Sequence, residues 1–333
     1  MTSQFDSDHL SSKKPLIVKP LEVGEHHNGQ RLDNFLSREF KHLPRPAIYR
    51  LLRQGHIRVN GGRKKPDFKL SAGDQIRLPH ILIAESIDQK NASPVINRSD
   101  KSFINRQAML ESAILFEDEG LLIINKPPGI AVHGGSGIDL GVIETFRLGR
   151  SDEKLELVHR LDRDTSGCLM IAKKASVLKK LQEQLREKTM VKSYEAIVLG
   201  RIKKTFEVKH PLRRTQRASG ERMVVIDPQY GQVATTIIQP IQYSADQQIT
   251  WIKAQPITGR THQIRVHCQS LATPILGDRK YMTEDQYANT RLLHQDALML
   301  HARSLSVDYA HLRLQPIQAQ YWPQFQKLIE MLN

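Results

Sequence analysis

Near the start of the chain apolar residues recur twice at the helical period. Over residues 31–40, Leu32, Phe35, Leu36 and Phe40 fall on one face, with Arg38 and Glu39 on the other, which predicts an amphipathic helix. A second helix is predicted over 46–53, opened by Pro46, a good first-turn residue, and stopped by Gly55. The period then drops to two. Ile57 and Val59 alternate with His56 and Arg58, and Asn60-Gly61 supplies a hairpin turn. A further turn at Ala72-Gly73-Asp74 leads into a strand over 75–78. Leu32, Phe35, Ile48 and Leu51 are the expected core of this small unit.

Residues 83–107 lose any sustained period and turn polar, which predicts a linker. Beyond it, strand-like runs alternate with helices. Strands are expected at 114–116 and 121–125 around the acidic turn EDEG, and at 191–199, 233–239 and 251–254. Residues 263–267 also alternate, so Gln263, Arg265 and His267 would share one face of a strand. Helices are expected at 177–188, with Leu178, Leu181 and Leu185 inward, and at 323–332, with Phe325, Leu328, Ile329 and Leu332 on one face. The expected class is α+β. A disordered segment (1–28), a small α+β domain (29–82) and a linker (83–110) precede a domain at 111–333 with a mixed, mainly antiparallel sheet.

Composition narrows the classes. The 333 residues suffice for two domains, and 39% hydrophobic content is enough for a core. No apolar run approaches the roughly 18–20 residues of a membrane span, and residues 1–20 lack the apolar stretch of a secretory signal. Cys168 and Cys268 cannot make a disulfide framework or a four-cysteine zinc site, so a reducing cytoplasm is the expected location. The formal net charge is +14, and residues 31–80 hold twelve Lys and Arg against four Asp and Glu. Such a concentrated excess suits a polyanion, whose condensed counterions it releases. A solvated lysine-rich surface would give the same count.

Chemistry concentrates at 157–172, where polar residues lie between two apolar runs, so side chains are presented at a strand edge. Taken alone, Asp164, Thr165 and Ser166 could simply build turns, and Arg160 with Asp162 could be a structural ion pair. Asp162 and Asp164 would share a face if extended, which leaves a magnesium-dependent nuclease open. His262 and His267 are five apart and make a poor metal pair.

The loop HRLDRDTSG (159–167) resembles the signature of the RluA-type pseudouridine synthases. NKPPGIAVHGGSG (125–137), VKSYEA (191–196), TGRTHQIRVH (258–267) and LGDRKY (276–281) follow the same family's order. RLDNFL, RLLRQGHIRVNG and SAGDQIRLP resemble the S4-type RNA-binding domain. The resemblance implies a pseudouridine synthase fold with an N-terminal S4-type domain. It implies isomerisation of uridines in large-subunit (23S) ribosomal RNA by a monomer, without cofactor or metal.

Carried onto this chain, the resemblance makes Asp162 the catalytic carboxylate, Tyr194 the active-site tyrosine and Arg265 the active-site arginine. Pseudouridine formation breaks the bond from C1′ to N1, rotates the uracil and rejoins it through C5. A carboxylate can serve as nucleophile or base, and an adjacent arginine keeps it ionised against burial. Arg160 and Arg260 stand behind Arg265 as partners. Tyr194 offers a ring to stack on an extruded uracil or a phenol to take the C5 proton. His159, Lys126 and His133, with Arg31, Arg45, Arg50 and Arg53 in the basic domain, are the expected RNA contacts, joined by the basic stretch Arg213, Arg214, Arg217 and Arg222. Met282 after Tyr281 departs from the glycine usual in the family. An RNA-binding assembly factor that kept the fold without the chemistry is the alternative, and the presence of Asp162, Tyr194 and Arg265 together argues against it.

Overall fold

The computed structural model describes residues 20–40, 43, 45–78, 100–134, 140–217, 221–294, 296–309 and 315–332, with Arg45 and Pro46 in backbone only. The chain divides into two compact units, Met1–Val95 and Ile96–Asn333.

In the first unit the two helical periods become the helices Leu32–Glu39 and Arg45–Gln54. They pack over a three-stranded antiparallel sheet in the order Leu21–Glu22, Gln75–Arg77, Arg58–Val59. Leu32, Phe35, Leu36, Ile48 and Ile76 are fully or almost fully buried between them. Asn60-Gly61 makes the expected hairpin turn, with φ of 50° and 76° and reciprocal bonds between Val59 and Gly62 at 3.0 Å. The expectation of disorder over 1–28 is corrected for 20–28. Leu21–Glu22 pairs with Gln75–Arg77, and Val23 is buried and donates its N–H to Asp74 O. Residues 1–19 lie outside the described residues.

The second unit is built on a ten-stranded sheet. Its spatial order is Ile114–Glu117, Leu121–Lys126, Ser166–Ala172, Leu300–Ser306, Val191–Leu199, Ile249–Pro256, Thr236–Ser244 and Phe206–Val208, with two short strands off this path. All pairings are antiparallel except Leu300–Ser306 with Ser166–Ala172. Alternation sends Leu122, Ile124, Leu169 and Ile171 to one face, beneath the helices Lys101–Ser112 and Val142–Gly149. It sends Leu121, Ile123, Cys168 and Met170 to the other face, beneath Ala175–Glu187. Burial on both faces explains why these strands read as unbroken apolar runs.

Two expectations fail here. The segment expected as linker ends early, because Lys101–Ser112 is a helix whose N-terminus is capped by the Asp100 carboxylate accepting Ser102 N–H at 2.8 Å. It buries only Phe103 and Leu110, so its sequence carries little periodic signal. The expected strand at 263–267 is the helix Gln263–Ser270. All of its first six residues are buried, so no polar face marks the helical period, and the chance alternation of QIRVH imitates a strand.

At this parallel pairing, Ser166 and Gly167 face His301 and Ala302. Gly167 has φ +105°, and a Cβ there would sit 2.3 Å from Ala302 O. Only glycine permits this approach, and it fixes where the polar loop before Ser166 emerges.

Candidate active site

The polar loop is pinned along its length. His159 Nε2 accepts the N–H of Met170 (3.2 Å), Leu161 is buried in the core, and Thr165 N–H donates to Asp162 O (3.2 Å). Lys126, at the end of the neighbouring strand, donates from Nζ to Pro127 O, Ile130 O and Arg163 O at 2.7, 2.8 and 2.9 Å. Burial pulls its ammonium down to about 7, against the opposing charges of Asp164 and Asp162. Lys126 is fully buried, so the expectation that it touches RNA is corrected: it ties the NKPPG turn to the Asp162 loop. His159 is likewise no cationic contact. Burial, then the charge of Lys192, pushes its imidazole down to about 3, and Nε2 is already occupied as an acceptor.

This framework presents Asp162 with its side chain 29% exposed. Arg265 reaches it from the helix Gln263–Ser270, with NH1 at 3.5 Å from Oδ2. The start of that helix is set by the loop before it. Gln263 Oε1 accepts from Thr258 Oγ1 and Arg260 N–H, while Gln263 Nε2 donates to Thr235 O and Thr236 Oγ1. Arg265 is also held in a two-pronged pair with Asp278, Nε to Oδ2 at 2.8 Å and NH2 to Oδ1 at 2.6 Å, with Asp278 fully buried. Burial opposes the guanidinium charge, but the bonds and charge of Asp278, then Asp162, outweigh it and hold Arg265 above its ordinary value. The NH1 group of Arg265 is therefore left free of its structural partner and faces Asp162.

Tyr194, on Val191–Leu199, packs against the cores on both sides of the site. Its phenol is pushed up, first by burial and then by the charge of Asp162. Lys192, two residues earlier on the same pleat, lines the same cavity, and burial lowers its ammonium. His262 approaches Asp162 Oδ2 to 3.9 Å with Nε2, and its Nδ1 lies 2.7 Å from Tyr281 Oη.

These groups line one cavity of about 900 Å³, together with Arg160, Arg214 and Arg260. Among the described residues lining it, Asp162 is the only carboxylate. Arg160 is exposed and makes no ion pair among the described residues, so the structural pairing with Asp162 is absent. Arg260 is exposed with Nε bonded to Val233 O (3.0 Å), and Arg214 bonds Thr261 Oγ1. The sequence therefore brings Asp162, Tyr194, Arg265, Arg160, Arg260 and His159 together. It does not bring in His133, which is half-buried and lies among no described lining residues.

Elsewhere in the basic stretch, Arg213 is paired with Asp227 and Arg217 with Glu221, while Arg222 is exposed. In the first unit Arg50 and Arg53 are exposed, Arg31 is bound to Asp33, and the side chain of Arg45 lies outside the described residues. Sequence reasoning missed Asp278, Lys192 and the role of His262. Asp278 stood in the quoted LGDRKY segment, and Lys192 lies one pleat from Tyr194. Those were the available signals.

An aspartate beside a fixed arginine and a part-buried tyrosine, in a cavity whose other charged lining residues are basic, suits an anionic substrate. Residues 120–270 match the RNA pseudouridylate synthase family and residues 30–76 the S4 domain. The chain belongs to the RNA pseudouridylate synthases. Its relatives include ribosomal large subunit pseudouridine synthase C of Pasteurella multocida, 46% identical over 297 residues, covering 88% of this chain and 86% of the relative. The same enzyme of Escherichia coli is 43% identical over 295 residues, covering 86% and 88%. A solved structure, human RNA pseudouridylate synthase domain containing 4, superimposes with a TM-score of 0.57 at 27% identity, covering 69% of this chain and 97% of that one. Among the described residues no helix is long and apolar enough to cross a membrane, and no group of three or more His, Cys, Asp or Glu is placed to hold a metal.

Proposed function

We propose that the protein isomerises specific uridines in large-subunit (23S) ribosomal RNA to pseudouridine, with Asp162 as the reacting carboxylate. The observation that supports this reading most is the meeting of Asp162, Arg265 and Tyr194 in one cavity whose other charged side chains are basic. A uridine inside folded RNA must leave the stack at a cost of a few kcal/mol. Arg160, Lys192, Arg214 and Arg260 can offset that cost at the cavity, and the S4 unit adds phosphate contacts through Arg50 and Arg53.

Once the uracil is inside, Arg265, 3.5 Å from Oδ2, orients Asp162 for attack on the ribose or the ring. Tyr194 is held protonated by burial and by Asp162, so stacking suits it better than removing the C5 proton. The isomerisation is redox-neutral: C1′–N1 breaks, C1′–C5 forms, the C5 proton leaves to solvent while N1 takes one up, and the carboxylate can supply the attacking electron pair. We therefore assign no metal or cofactor, and activity should be unchanged by a chelator. The same reading has the chain acting as a monomer in the cytoplasm, which light scattering and fractionation test.

The direct experiment maps pseudouridines on large-subunit rRNA from cells with and without this chain. Loss of a small set of modified positions, restored on unmodified rRNA by the purified protein, is expected. An unchanged map would overturn the proposal.

A further inference from the structure

Tyr281, His262 and Asp162 form a directed line whose proton positions follow from bonding rules. Val224 N–H donates to Tyr281 Oη at 3.1 Å, so the phenol oxygen is an acceptor there. Burial pushes the Tyr281 phenol up to about 12, so it keeps its one proton. The neighbour placed to receive that proton is His262 Nδ1, at 2.7 Å. A neutral imidazole that accepts at Nδ1 carries its proton on Nε2. Nε2 faces Asp162 Oδ2 at 3.9 Å.

The ring has little freedom to leave this alignment. His262 sits at φ 52° as the first residue of the turn into the helix Gln263–Ser270. Its ring lies edge-on to Tyr281 at 5.6 Å, and the Arg265 guanidinium covers Tyr281 at 5.2 Å. Arg265 NH1 and His262 Nε2 thus converge on the same oxygen, Oδ2. Among the described residues Asp162 Oδ1 accepts no hydrogen bond.

Resting on the function proposed above, we infer that His262 is a positioning residue for Asp162. Locked by Tyr281 with its proton on Nε2, it joins Arg265 in anchoring Oδ2 and leaves Oδ1 as the oxygen that meets the substrate. The 3.9 Å separation is about 1 Å longer than a formed N–H···O bond, and such contacts close when substrate fills a site. Tritium released from C5-labelled uridine in rRNA, assayed with the full chain, reads the effect.

His262→Asn keeps a residue tolerant of positive φ but cannot reach Asp162. Its kcat should fall about 10–100-fold, with KM and RNA binding within about twofold, as expected for a group misplaced by about 1 Å. His262→Gln can donate to Asp162 and accept from Tyr281, and should recover to within about fivefold of wild type. Tyr281→Phe, which leaves the His262 backbone untouched, should lower kcat and not KM. Asn and Gln variants of equal kcat, or a Tyr281→Phe variant with wild-type kcat, would overturn the inference. If either of those results came with an active wild type and an inactive Asp162→Asn, the function would stand and only the inference would fail. A wild type that releases no tritium overturns the function and the inference together.

Discussion

Each unit of the molecule holds an arginine–aspartate–tyrosine constellation, and the two differ in how fully the carboxylates are bonded. In the S4 unit Asp33 is saturated. Oδ1 accepts from Arg31 Nε and Asn34 N–H, and Oδ2 accepts from Arg31 NH2 and Tyr49 Oη. In the synthase unit Asp278 has both oxygens on Arg265, and Oδ1 also accepts Lys280 N–H. Asp162 shares that arginine at 3.5 Å and leaves Oδ1 open. A saturated carboxylate holds chain segments together. A carboxylate left with a spare arginine donor and an open oxygen is free to react. The pattern sets Asp162, which we propose reacts, apart from the two structural aspartates.

Breaking the Arg265–Asp278 pair in the synthase unit should have the largest effect. Asp278→Asn leaves the buried Arg265 charge short of a partner and should cost about 3 kcal/mol in denaturant unfolding, the scale of a broken buried ion pair. A loss below about 1 kcal/mol would mean that Asp162 turns to replace Asp278. Lys126→Met removes the donor from three backbone carbonyls. At about 1 kcal/mol each it should cost about 2–3 kcal/mol, with a parallel fall in kcat as the Asp162 loop loosens.

Asp33 should contribute less, because the side chain of its partner Arg31 is 48% exposed. Arg31, and then Tyr49, hold the Asp33 carboxyl down at about 2 from an ordinary 3.8. Its contribution of about 1–2 kcal/mol is present above pH 4 and fades as pH falls from about 4 to 2. Asp33→Asn should flatten the acid limb of the unfolding profile by that amount. An unchanged limb would break the comparison on the S4 side. The smallest effect belongs to the exposed arginines. Arg50→Gln with Arg53→Gln should reduce the slope of log binding constant against log salt by about 1–2 and leave stability unchanged.

Legibility in the sequence followed burial. The helix Leu32–Glu39 buries one face and exposes the other, so its period was plain. The strands Leu121–Lys126 and Ser166–Ala172 are covered on both sides and stood out as apolar runs. The helix Gln263–Ser270 is buried all round, and Lys101–Ser112 buries almost nothing, so neither showed a helical signature. Within the site, the family loop marked Asp162, and later motifs marked Tyr194 and Arg265. The partners that make them work come from distant chain segments. Lys126 bonds across 37 residues to Arg163 O, and Asp278 bonds across 13 to Arg265. Local sequence carries no trace of such pairings, which is why a buried structural lysine was expected at the RNA surface.

The account turns on Asp162 being the open, reacting carboxylate. Its most direct test compares wild type with Asp162→Asn in tritium release from C5-labelled uridine in large-subunit rRNA, alongside RNA binding by filter retention. The account predicts that release falls by at least about 10⁴-fold, as for loss of a nucleophile, while RNA affinity stays within about twofold of wild type. Continued tritium release from the variant would contradict it.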